Sequence, residues 1–209
     1  MEGSTQMLEP VMSIVRCSTL AELYREVEHC ELCPYAQLGN KKVNGDGKIG
    51  APIMIIGQAP GRTELEIGKP YTGPSGRLLR NMLRKMKIPQ GDVYFSNVLR
   101  CAPPEGKNIV ANSLKMCMRW VVEEIELVRP RLIVLLGAVA AKAVIDKETI
   151  EECKGKIIKC GLGIPCVATY HTAYLIRIRK DEDIYESTWH EVRGHWKLIH
   201  DTVYGRKKQ

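Results

Sequence analysis

Residues 52–73 read PIMIIGQAPGRTELEIGKPYTG, and residues 74–86 continue as PSGRLLRNMLRKM. The first six residues form an apolar run of strand type. The continuation reads as a helix, and between the two glycine and proline recur. A strand, a glycine-rich loop and a helix in succession open an α/β unit. A loop of this composition lets main chain bend sharply and approach a ligand closely.

Working outward, three more apolar runs of strand type occur at 93–99 (VYFSNVL), 131–136 (RLIVLL) and 164–169 (IPCVAT). Helical patterns at 75–87, 112–128 and 138–146 separate them, and a long helix near 182–204 follows the last. An earlier helix is expected over 18–29, with Ser18 or Thr19 as its cap. Between it and the first strand, CELCPYAQLGNKKVNGDGKIG is loop. Strands that are almost wholly apolar and alternate with helices predict an α/β fold, a parallel sheet covered on both faces. Ligands of such sheets bind at the carboxyl ends of the strands. Gln58 follows the first strand, Asn97 ends the second, and His171 follows the fourth. All three are therefore expected on one rim.

The chain has 209 residues, 44% of them apolar, enough for one sizeable core or two small ones. Residues 1–17 read as a flexible start, 18–204 as one domain and 205–209 (GRKKQ) as a basic tail. With 31 basic and 24 acidic residues the formal charge is +7. Such a surplus suits a polyanionic partner, although an ordinary solvated surface also produces one. No uninterrupted apolar stretch is long enough for a membrane span. Glu2 stands where a secretory leader would be positively charged. The expectation is a cytoplasmic protein, in which the eight cysteines are metal ligands or buried thiols rather than disulfides.

Cys30 and Cys33 form C-x2-C, and Cys101 and Cys117 lie further on. Two residues between thiolates let both sulfurs face one metal. A lone C-x2-C also arises by coincidence or as a redox pair. Four scattered thiolates suit either a four-iron cluster or zinc. Cys17 is a weaker substitute ligand than Cys30, and Cys166, within a strand, reads as a small buried hydrophobe.

The order C-x2-C, GQAPG after a strand, GKPYTGPSGRLL, NVLRCAPP, a cysteine at 117 and TYHTAYLIR resembles the family 4 uracil-DNA glycosylases, from about Cys30 to Arg177. The resemblance implies a three-layer α/β/α domain with a central four-stranded parallel sheet. It also implies a 4Fe-4S cluster, structural in that family, on Cys30, Cys33, Cys101 and Cys117. The expected substrate is uracil-containing DNA and the expected state a monomer; a polymerase clamp is an open partner.

A glycosylase must extrude its target base and bury it. Charge then develops on both the sugar and the departing ring, so donors, a stacking face and an edge-reading amide are needed. On this reading His171 donates to uracil O2, Asn97 pairs with O4 and N3–H, and Tyr71 supplies the stacking face. Backbone N–H groups of Gln58 and Ala59 add donors. Gly73, Ser75 and Gly76 open a helix whose free N–H groups suit phosphate. Tyr174, Leu175 and Ile176 are candidates to wedge into the gap left by the extruded base, with Arg177 on phosphate. Arg62, Arg77, Arg100 and Lys107 are candidates for the DNA track.

The chain departs from the family pattern in three places. Gln58 replaces a glutamate, Leu65 an aspartate, and Thr172 the proline after the histidine. Glu64, the remaining acid of the first loop, is the candidate for positioning water or stabilising charge, with Gln58 able to orient water. Two alternatives stay open: a cluster-stabilised DNA-binding protein that lost most of its catalysis, and a zinc-bearing nucleotide enzyme on the same kind of sheet.

Overall fold

The computed structural model describes residues 17–39, 41–104 and 110–205. Of the expected loose start at 1–17 and tail at 205–209, residues 1–16 and 206–209 lie outside these residues, as does Lys107. Four strands are parallel: β1 (Ile53–Gly57), β2 (Val93–Asn97), β3 (Leu132–Leu136) and β5 (Pro165–Thr169). Each is nearly or wholly buried, as their continuous apolar runs require.

The sheet has five strands rather than the expected four. A three-residue strand, β4 (Ile157–Lys159), pairs antiparallel with β5, giving the order β2-β1-β3-β5-β4. An antiparallel edge on a parallel sheet is a common addition. Here the chain turns back at Cys160–Ile164, where the Cys160 N–H donates to the Ile164 carbonyl.

Alternate residues of each strand feed opposite layers. Met54, Ile56, Ile133 and Leu135 pack with α5 (Ala111–Val128) and α6 (Ala138–Ile145). Ile53, Ile55, Val134 and Leu136 pack with α4 (Pro74–Lys85) and α8 (Glu182–Tyr204). The result is the expected three-layer α/β/α arrangement. A third apolar cluster joins α1 (Leu20–Glu28), the short α2 (Pro34–Gln37) and the cysteine segments to Trp120 of α5. Thr19 caps α1 by accepting from the Glu22 N–H.

The chain leaves β1 toward β2 and leaves β2 toward β3 on the far side. The order therefore reverses at β1, and a crevice opens at the carboxyl ends there. Two helices that the sequence reading left as loop border this crevice: α3 (Arg62–Ile67) after β1, and α7 (Thr172–Ile178) after β5.

Two glycines fix the geometry of this rim. Gly137, at φ 86°, ends β3, and a Cβ there would lie 3.2 Å from His171 Cβ. Gly76, in the first turn of α4, lies so close to Tyr71 that a Cβ would overlap the Tyr71 main chain. Tyr71 itself sits at φ 56°, a left-handed conformation costly for an aromatic residue. We expect Gly76→Ala to force backbone apart and to cost roughly 3 kcal/mol, the upper range for overpacking. Thermal unfolding would then show Tm lowered by about 6–12 °C; an unchanged Tm would show that the loop shifts freely.

Candidate active site

Asn97 ends β2 in register with Gly57 of β1, so its amide stands beside the first loop. It is buried, and its side chain has no protein partner among the described residues. Tyr71 is buried too; its hydroxyl donates to the Ser96 carbonyl at 3.1 Å, and its ring lies 5.4 Å from that of Phe95. With its hydroxyl satisfied, Tyr71 presents an aromatic surface.

His171 caps α7: its Nδ1 accepts from the Ala173 N–H at 3.1 Å. That bond assigns the proton of the neutral ring to Nε2, which is left as a donor. Burial, and secondarily the positive charge of Arg177, pull the His171 pKa down from 6.5 to about 4, with Glu64 working the other way. The ring is neutral at physiological pH.

Asn97, Tyr71 and His171 line one chamber of about 180 Å³, together with Ala59, Gly61, Glu64, Ser75 and Ala173. The three loops predicted to meet do meet. The chamber shares Ala59, Gly61, His171 and Ala173 with a wider cleft of about 580 Å³, which adds Gln58, Arg62, Leu65, Pro103 and Arg177. His171 therefore stands where a small inner chamber opens into an outer groove.

Several assignments from sequence change. Gln58 faces the outer cleft, not the inner chamber. Glu64 is buried and both its oxygens are engaged: Oε2 accepts from the Gly61 N–H at 3.2 Å, and Oε1 from the Gly73 N–H at 2.7 Å. It braces two loops, and the free carboxylate expected for activating water is not what the chain displays. Gly76 is buried against Tyr71 and offers no surface to DNA. Leu175 is fully buried in the core, whereas Ile176 and Arg177 are exposed. Tyr174 is partly buried and stacks on Tyr170, with ring centroids 5.4 Å apart. Any wedge must come from Tyr174 or Ile176. Arg100, expected on the DNA track, is buried in an ion pair with Glu124.

Thr172 occupies N1 of α7 and is buried, with no hydrogen-bond partner for its hydroxyl among the described residues. Proline is favoured at N1 because that N–H is unpaired in any case, so threonine replaces it without breaking the helix.

Cys33, Cys101 and Cys117 are buried in the third apolar cluster, with Cys30 and Cys17 packed against it. All are free thiols. Burial pushes Cys101 up to about 11 and Cys117 up to about 12; neighbouring cysteines add to the rise in each, while Arg100 opposes it. Among the described residues no three His, Cys, Asp or Glu side chains are spaced to hold a single metal ion. A four-iron cluster asks for less convergence, because each thiolate takes a separate iron. The donor set fits such a group. The Arg100 N–H donates to Cys117 Sγ at 3.4 Å, and the buried Arg100 Nε finds no partner among the described residues. The positive charge of Arg100 beside Cys101 and Cys117 suits an anionic sulfur cluster.

A family profile described as the uracil DNA glycosylase superfamily matches residues 44–193. The chain belongs to this superfamily, in its type-4 branch. The type-4 uracil-DNA glycosylase of Thermotoga maritima is 33% identical over 166 residues, which is 78% of this chain and 86% of the relative. Those of Pyrobaculum aerophilum (31%, 76% and 85%) and Archaeoglobus fulgidus (31%, 83% and 92%) are comparably similar. The matched span contains the glycosylase chamber and cleft described above. No helix among the described residues is long and apolar enough to cross a membrane.

Sequence reasoning missed Ala173 and Pro103 as wall residues and Ser96, Arg100 and Glu124 as a buried network behind the chamber. The first two carry no chemical signature. Arg100 was visible only as a basic residue near a loop.

The low pKa of His171 has a consequence for stability. Between pH 6.5 and about 4 the unfolded chain takes up this proton and the folded chain does not, so stability falls as pH falls through that window. The loss is expected to approach roughly 3 kcal/mol. Denaturant unfolding at stepped pH should show it in the wild type and not in His171→Asn. Parallel curves for the two proteins would place the ring in solvent.

Proposed function

We propose that this protein is a monofunctional uracil-DNA glycosylase that extrudes uracil, or a related deaminated base, into the inner chamber and hydrolyses its N-glycosidic bond. The observation that carries this reading is the position of His171 at the neck between chamber and cleft. A base in the chamber, with its sugar and phosphate in the cleft, puts the scissile bond beside that imidazole.

Asn97 reads the ring edge: its amide donates to O4 and accepts from N3–H, a pattern that cytosine inverts. Tyr71 stacks on the ring, and the Ala59 N–H adds a donor. As the C1′–N1 bond breaks, its electron pair goes to the uracil. The His171 Nε2–H then donates to O2, where the charge gathers, and keeps its own proton. Water adds to C1′ and releases a proton to solvent, leaving an abasic site.

Gln58, in the cleft, orients that water. The Glu64 carboxylate lies at the chamber wall, where it favours the cationic sugar. Arg62 and Arg177 face phosphates in the cleft, while Ser75, at the start of α4, lines the chamber and stands beside the base. Cys30, Cys33, Cys101 and Cys117 would hold a 4Fe-4S cluster, which when bound would supply a structural tie between α2, α5 and the segment after β2. A reducing cytoplasm suits such thiols.

A cluster-stabilised DNA binder without activity draws its support from Gln58 and Leu65. A chamber with an unpaired amide and an aromatic wall is superfluous for that role. Incubation with a uracil-containing oligonucleotide followed by alkali separates the two, with strand scission at uracil for the enzyme and intact, bound strands for the binder. His171→Ala should slow scission by about 10²–10³-fold with binding to abasic DNA nearly unchanged; equal loss of both would assign the residue to folding. Asn97→Asp should move preference toward cytosine, and unchanged selectivity would remove the edge-reading role.

A further inference from the structure

Behind the chamber lies a buried polar network that base recognition does not use directly. Glu124, on α5, is almost wholly buried; its Oε1 accepts from the Tyr94 hydroxyl at 2.9 Å and its Oε2 from the Ser96 hydroxyl at 2.6 Å. Arg100 Nη2 lies 2.7 Å from Glu124 Oε2, an ionic contact off the direction of a good hydrogen bond. Arg100 Nη1 donates to Ser96 Oγ at 3.0 Å. Ser96 is thus the hub. Its hydroxyl is held by Glu124 and Arg100, its carbonyl receives the Tyr71 hydroxyl, and the next residue is Asn97. At the other end, the Arg100 main chain bonds to Cys117 and is followed by Cys101.

Burial alone would lower the pKa of Arg100, but Glu124, and after it Cys117, more than offset this and hold it charged. A buried ion pair returns little net stability, because desolvation consumes most of the attraction, and apolar residues of the same shape would hold the fold as well. What apolar residues lack is direction. A fully bonded network fixes one geometry.

We propose that Glu124 and Arg100 are positioning residues which, through Ser96, couple the cysteine nest to the base chamber and set the aim of Tyr71 and Asn97. The proposal rests on the glycosylase reading. An intact nest holds Arg100, Arg100 and Glu124 hold Ser96, and Ser96 holds both walls of the chamber. Weakening the middle of this chain loosens the grip on the base at one end and on the nest at the other.

The test uses Ser96→Ala, which removes only the hub hydroxyl, and Glu124→Gln, which keeps the shape. Glu124→Gln leaves Arg100 without its counter-ion and risks folding; Ser96→Ala carries the test if it fails. Inhibition by free uracil and steady-state cleavage of a uracil oligonucleotide are measured in each. For Ser96→Ala we expect Ki for uracil and KM to rise about tenfold, the worth of one buried hydrogen bond, with kcat within about threefold. In a Tyr71→Phe background, which lacks the bond to the Ser96 carbonyl, the further effect of Ser96→Ala should shrink to the part carried through Asn97.

Iron released to a chelator after mild oxidation is followed in the same proteins. It should be several-fold faster in both variants than in the wild type. Unchanged Ki, full additivity with Tyr71→Phe, or a lowered Tm as the sole effect would overturn the coupling while leaving the glycosylase reading intact. A wild type that releases no uracil would instead defeat that reading. The relay then stands or falls on whether the variants lose iron faster than the wild type.

Discussion

The carboxylate of Glu64 joins the two loops on which the chamber depends. One oxygen takes the amide of Gly61, at the end of the first loop, and the other takes the amide of Gly73, just before α4. Glu64 stands at the third position of α3 and reaches back to the residue that caps it, half of a capping box. Each bond to a carboxylate acceptor contributes about 1.5–3 kcal/mol. Tyr71, in its left-handed conformation, sits between these tethers and the close packing of Gly76. The unfavourable backbone is tolerated because its surroundings determine it completely. The chamber wall is therefore rigid before any base arrives, and a preorganised wall spends no binding energy on ordering itself.

The same region explains why a neutral histidine suits the donor role proposed for it. An imidazolium would attract the uracil anion more strongly. Its proton would have to be held against burial and against Arg177, two turns of chain away, and both lower its affinity for that proton. Fixing Nδ1 as the acceptor of the Ala173 amide leaves Nε2–H aimed outward across the whole neutral range. Arg177, which lines the cleft, also helps to keep the imidazole uncharged. Glu64 works the other way and is outweighed.

Much of this was legible from sequence, for identifiable physical reasons. The four parallel strands announce themselves because both faces are buried and their residues are almost all apolar. β4 is three residues long with a half-exposed pattern, too short to stand out. The helix α7 escaped because its cap is a histidine, outside the usual capping residues, and its seven residues are rich in aromatic and branched side chains. That omission caused the error at Leu175. On a loop Tyr174, Leu175 and Ile176 are equivalent. On a helix successive residues turn by about 100°, so Leu175 points into the core and its neighbours do not. Glu124 was hidden for a related reason. In WVVEEIEL two adjacent acids suggest a solvated face, and nothing local signals that both are buried or that Glu124 meets an arginine 24 positions earlier.

The departures from the family pattern fall where the fold can absorb them. Thr172 takes a helix position that needs no N–H bond. Gln58 and Leu65 line the outer cleft, while the residues of the inner chamber keep the full set of amide, aromatic ring and imidazole. Carboxylates at 58 and 65 would face the phosphates of the same strand that Arg62 and Arg177 attract. With an amide and an alkyl group instead, the cleft carries less repulsion toward a polyanion. It also offers less help to the attacking water, whose activation is worth about 10²–10⁴-fold where a base supplies it. On the proposed reading selectivity is set in the chamber and grip in the cleft. The exchange at 58 and 65 would then trade speed of hydrolysis for hold on DNA and leave the choice of base to Asn97.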